Sequence, residues 1–178
     1  MKKIIAFLLV FAFGLSGCEK DDICDPNTPT TPRLIISFYD INNPTVKKKV
    51  TRLKVIGEGA PEGIVFNESA LDDEKYITSA DSIGIPLRTD VDTVTYQFIL
   101  NFGNDNASLV NTDVIKFDYT RQNAYVSRAC GFKTIFKLND QIPFVQTDPA
   151  ADGLWMQDID PINKNIEFED ETHLKVYF

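Results

Sequence analysis

The sequence predicts an all-β protein, an antiparallel β-sandwich, and three observations predict it. Apolar and polar residues alternate at period two along five clear stretches, the pattern of strands with one buried face. Polar turn clusters separate them: Asn42-Asn-Pro44, Gly57-Glu-Gly59, Gly103-Asn-Asp-Asn106 and Asp148-Pro149. No stretch keeps apolar residues at helical spacing, and residues 70–76 have room for at most a turn or two of helix. Eight to ten short strands joined this way suit a sandwich, immunoglobulin-like in outline, with a lipocalin-like closed barrel as the competing closure.

The strands follow in order. In residues 33–40, Leu34, Ile36 and Phe38 share a face. In 94–102 the set is Val94, Tyr96, Phe98, Leu100 and Phe102, opposed by Thr95, Gln97 and Asn101. Residues 112–120 set Ile115, Phe117 and Tyr119 against Val114, Lys116 and Asp118. Residues 132–138 set Phe132, Thr134, Phe136 and Leu138 against Lys133 and Lys137, and 173–178 end the chain with Leu174, Val176 and Phe178. Weaker strand signals cover 50–56, 63–67, 82–88, 123–129 and 165–168, and there is no internal repeat. Residues 25–32 hold three prolines in eight and read as an extended linker.

The amino terminus carries an address. Met1-Lys2-Lys3 is a basic start, followed by an eleven-residue apolar run from Ile4 to Gly14, which is signal-peptide length and far short of the roughly 20 residues of a spanning helix. The next residues, Leu15-Ser-Gly-Cys18, resemble the lipobox of bacterial lipoproteins, whose cysteine receives a diacylglyceryl group and becomes the new amino terminus. The competing reading is an ordinary secretory signal with a coincidental cysteine. Stable anchoring takes two acyl chains, at about 0.8 kcal/mol per buried CH₂, and such a lipid provides them without a basic patch. Glu19-Lys-Asp-Asp22 resembles the surface-export signal of Bacteroidota lipoproteins; the alternatives are a merely solvated tether and the periplasmic leaflet. The expected division is a signal peptide over 1–17, anchor and linker over 18–32, and one sandwich domain over 33–178.

Composition narrows the function. Removing residues 1–17 leaves 161 residues with 16 basic and 26 acidic side chains, a net charge of −10. A chain this size buries a real core, and its acidity disfavours nucleic acid or an anionic lipid surface as main partner. With His173 as the only histidine, no multi-histidine metal site can be built. No metal or other cofactor is expected.

Once Cys18 is modified, Cys24 and Cys130 remain, and an even pair in an exported protein reads as one disulfide. Closing a span of 106 residues is worth roughly 4–5 kcal/mol as an upper figure. Cys18 and Cys24 are six steps apart, at most about 20 Å, so a bonded Cys24 holds the body against the membrane. Two free thiols are the alternative.

Several segments fit one pattern: Cys18-Glu-Lys-Asp-Asp-Ile-Cys24-Asp-Pro, Thr30-Thr-Pro-Arg-Leu34, Glu62-Gly-Ile-Val65 and Asp92-Thr-Val-Thr-Tyr96. Asp113-Val-Ile-Lys-Phe-Asp-Tyr-Thr-Arg121, Tyr125-Val-Ser-Arg-Ala-Cys-Gly-Phe132 and His173-Leu-Lys-Val-Tyr-Phe178 continue it. Together they resemble an uncharacterised family of Bacteroidota lipoproteins, over nearly the whole mature chain. The resemblance implies an envelope location, a lipid on Cys18 and the Cys24–Cys130 pair; it lends no activity.

Candidate sites are few. Arg128 and Cys130 share a face on a regular strand, which puts Arg128 at the core or its rim, either binding an anion beside the disulfide or held in an ion pair. A bulge at Gly131 would instead turn Arg128 outward. Trp155 lies in the longest segment without strand signal, 141–163, as a ligand platform, a partner anchor or a closure of the core. The acidic groups Asp72-Asp-Glu74, Asn104-Asp-Asn106 and Asp158/Asp160 match no EF-hand spacing and read as solvated turns, with calcium chelation as the alternative. Asp81-Ser82-Ile83 and Asp92-Thr93-Val94 resemble the O-glycosylation sequon of the same bacterial group, at Ser82 and Thr93. There is no Gly-x-Ser-x-Gly elbow, no phosphate loop and no free Cys/His dyad, so no catalytic residue is assigned. The expectation is an outer-membrane lipoprotein, tethered through Cys18, that binds another envelope protein through an apolar patch near Trp155 or a sheet edge beside residues 174–178. The alternative is a lipoprotein that captures a glycan or small apolar molecule; a carboxylate-based hydrolase is the least expected.

Overall fold

The structure, a computed structural model, describes residues 23–28 and 30–178. The signal peptide, Cys18 and the tetrapeptide Glu19–Asp22 lie outside the described residues. Among the described residues twelve strands form two sheets, neither closed into a barrel. The chain is an all-β sandwich, and the lipocalin-like closure is corrected.

The first sheet contains β1 (Leu34–Asp40), β2 (Asn43–Lys47), β5 (Ser82–Ile85), β10 (Asp158–Pro161) and β12 (Leu174–Tyr177). Its order is β10-β12-β1-β2, with β5 also on β1. Its β1–β12 pairing, Ile36 opposite Leu174 through Tyr39 opposite Tyr177, is parallel, while every other ladder among the described residues is antiparallel. The second sheet contains β3 (Leu53–Gly57), β4 (Ile77–Thr78), β6 (Thr93–Leu100), β7 (Asn111–Ser127), β8 (Gly131–Leu138), β9 (Phe144–Thr147) and β11 (Asn165–Ile166). Its order is β11-β8-β7-β6-β3-β4, with β9 also on β7.

The alternating faces meet between the sheets. Leu34, Ile36, Phe38, Ile85, Leu174 and Val176 from one pack against Val55, Phe98, Ile115, Phe117, Tyr119 and Leu138 from the other. The clear strand signal over 112–120 and the weaker one over 123–129 belong to the single 17-residue β7. Its first half is paired by β6 on one edge and β9 on the other, and its second half by β8 alone. The signal over 63–67 reduces to one bridge, Gly63 with Ile56. Residues 72–76 form a short 3-10 helix.

The 141–163 segment differs most from its sequence reading, because it contains β9 and β10. What organises it is Asp113, which stands on the inner face of β7 two residues before Ile115. Its carboxylate accepts hydrogen bonds from the Met156 backbone N–H (2.9 Å), the Trp155 N–H (3.4 Å) and the Gln146 side-chain amide (3.1 Å). Asp148 accepts from the N–H groups of Ala150, Ala151 and Gly153, which closes the turn before Trp155.

Candidate functional site

The amino-terminal segment and the far end of β7–β8 meet at one place. The hairpin turns through Arg128-Ala-Cys130 and re-enters the ladder at Gly131, whose φ of +71° lies in the left-handed region that glycine adopts at little cost. The Cys130 N–H donates to Ser127 Oγ at 3.0 Å. In that turn Cys130 forms the disulfide with Cys24, the Cα atoms 4.9 Å apart. From the tip the chain returns along the outer edge of β8. Thr134 N–H donates to Thr31 Oγ1 at 3.0 Å, and Pro32 is buried. Arg33 donates through its backbone N–H and its guanidinium to Glu169, with bonds of 2.5–3.1 Å. Those side-chain hydrogen bonds hold the Glu169 carboxyl below the usual carboxylate range. Residues 24–28 and 30–33 therefore belong to a strap fastened at three points, where the sequence reading of 25–32 has an extended linker with no packing.

The tip is apolar where it meets solvent. Tyr125 and Phe132 face each other across the ladder in a T-shaped pair with ring centroids 5.4 Å apart, 64% and 68% exposed. Ile23 is 74% exposed and lines one groove with Tyr125, Arg128 and Cys130. Tyr125 and Phe132 occupy the same hairpin face as the buried Tyr119, Phe136 and Leu138. The core face of the second sheet thus runs on past the end of its cover.

Other expectations change. Arg128 is not on a regular strand; it lies in the turn, exposed, with no ion pair among the described residues, so the same-face argument through Cys130 fails. Trp155 is a core residue, 6% exposed, its indole N–H donating to Phe98 O at 3.1 Å and its ring packed on Phe38 and Phe178. That burial corrects its assignment as a ligand or partner contact. The edge beside 174–178 is not open either, since β12 is paired on both sides. Ser82 donates to Ile36 O and bonds the buried Ser37 hydroxyl, so a glycan there would break both contacts. Thr93 is half-buried at the start of β6. Within the acidic groups, Asp73 pairs with Lys54 and Glu74 with Arg52, and Asn106 caps a short 3-10 turn. The structure brings Cys24, Cys130 and Arg128 together; Trp155, Ser82 and Thr93 belong to other parts of the body.

Two buried titratable groups escaped the sequence reading. Burial raises the Asp113 carboxyl, against the opposing pull of its three donors. An acid on the inner face two residues from Ile115 was its signal. His173 is fully buried, its Nδ1 accepting the Ile35 N–H at 2.9 Å while Nε2 has no partner among the described residues, and burial lowers its pKa. Both groups tie backbone within the core, which gives them a structural role.

Among the described residues no helix is long and apolar enough to cross a membrane. A family model described as "Family of unknown function (DUF6452)" matches residues 52–178. No curated protein and no solved structure matches the chain.

Proposed function

We propose that this chain, which belongs to the DUF6452 family, is a lipid-anchored outer-membrane module that works by contact with another envelope protein and not by catalysis. The observation that carries the reading is the Cys24–Cys130 disulfide, six residues beyond the lipobox cysteine. A diacyl lipid on Cys18 would then hold a rigid body within about 20 Å of the bilayer. The strap supports this, because fastening residues 24–33 to the hairpin removes the slack a free linker would give. A surface role is also favoured over ligand capture. The interior is filled by packed side chains, and each of four surface grooves carries at most one aromatic.

Growth with radiolabelled palmitate tests the anchor. The protein should carry label and sediment with membranes, while Cys18→Ala should lose both properties. An unlabelled wild-type protein overturns the reading. Crosslinking in intact cells followed by mass spectrometry tests the contact role, and recovery of no envelope protein above background overturns it.

A further inference from the structure

We infer that the hairpin tip is itself a membrane-contact site, with Ile23, Tyr125 and Phe132 seated in the interface of the bilayer that holds the lipid. The inference rests on the acylated Cys18 of the proposed function. The described chain begins at Ile23, and only five residue steps, at most about 18 Å, separate it from Cys18. Cys24 is bonded to Cys130, so the segment from Cys18 joins the body at the tip. The side of the molecule that must face the lipid is therefore the side carrying three exposed apolar groups at 74%, 64% and 68%. An amphipathic tyrosine, apolar in its ring and polar at its hydroxyl, suits the headgroup boundary. Arg128, exposed in the turn, stands where a phosphate headgroup would meet it. The neighbouring Asp25 and the acids Glu19, Asp21 and Asp22 argue for a zwitterionic surface over an anionic one. A bilayer interface would also cover the Tyr125–Phe132 pair, which the rest of the described chain leaves exposed.

The test uses the acylated protein in phosphatidylcholine vesicles whose acyl chains carry bromine. Tyr125→Trp puts a second indole at the tip, in addition to the buried Trp155. We expect bromine to quench the added emission at least several-fold more than the wild-type Trp155 emission. Without lipid, Cys18→Ser protein should still bind plain phosphatidylcholine vesicles weakly, and adding Tyr125→Ser and Phe132→Ser should weaken that binding about tenfold or more. Unchanged Trp155 emission shows that the variant is folded. Acylated protein that floats with vesicles but shows no extra quenching overturns the tip contact alone, and leaves the tip to a protein partner. A purified protein whose intact mass lacks acyl chains overturns the anchor and, with it, this inference.

Discussion

The two halves of β7 obey the same alternation and meet opposite fates. Over residues 111–119 the inward set is Asp113, Ile115, Phe117 and Tyr119, each no more than 1% exposed, with β6 along one edge over 111–118 and β9 along the other over 114–117. Over residues 120–127 the same face presents Arg121, Asn123 and Tyr125, with β8 as the one neighbour. Periodicity therefore tells which residues share a face. Whether that face is covered depends on how far the opposite sheet reaches, which is a property of strands distant in sequence. The uncovered half compensates by covalent and local means: a disulfide at its tip and a strap along its edge.

Phe117→Ala breaks the comparison at its strongest point. Phe117 is fully buried, lies opposite Val94 and Phe144, and packs edge-on against the Phe144 ring at 6.5 Å. Truncating it should cost about 3–5 kcal/mol in urea unfolding. A loss near zero would mean that the core is not continuous across the two sheets.

Removing the disulfide attacks the other half. With Cys24→Ser and Cys130→Ser the strap keeps only its Thr31 and Arg33 contacts, and unfolding stability should fall by about 2–4 kcal/mol. The loss has a location. Amide exchange should accelerate in residues 123–134 and stay slow in 113–119. Equal acceleration in both would show that the hairpin and the core open as one unit.

The same division explains what the sequence disclosed. β1, β6, the first half of β7, β8 and β12 were legible because a strand with one buried face writes its environment into every second residue. β2 was not, since all five of its residues are exposed and Pro44 sits among them, so no face is marked. β10 carries two acids and Pro161 and borrows its order from β12. The Trp155 position was ambiguous in sequence because its burial depends on Asp113 and Phe98, more than forty residues away. Arg128 misled for a related reason: parity assigns a face only while the strand lasts, and β7 stops at Ser127. The site at the tip was half visible, through the cysteine pair. Exposure of Tyr125 and Phe132 was hidden, since their pattern is that of a covered strand.

A third measurement sharpens the account of the core through pH. His173 is neutral when folded, because Nδ1 must accept the Ile35 N–H and burial disfavours the charged ring. Its folded pKa lies below the ordinary 6.5, so the unfolded chain binds the proton first on acidification. Stability should be level above about pH 7 and decline as pH falls through 6.5 toward the folded value. Asp113, raised by burial, acts with the opposite sign, so a loss of stability on acidification cannot come from it. His173→Asn should flatten the decline; a slope that survives belongs to another group.

The smallest effect is the most telling. In water, Tyr125→Ser removes one ring from an exposed pair and should cost about 1 kcal/mol or less. Phe117, also an aromatic on the inner face of β7, should cost several times more. A large aqueous loss at Tyr125 would show that the tip ring supports the fold and has no need of an external cover. A small loss, set beside the vesicle measurement, leaves the ring without a structural reason in water. Its cost of exposure is then recovered only when something apolar meets the tip, and under the proposed lipid anchor on Cys18 that phase is the bilayer.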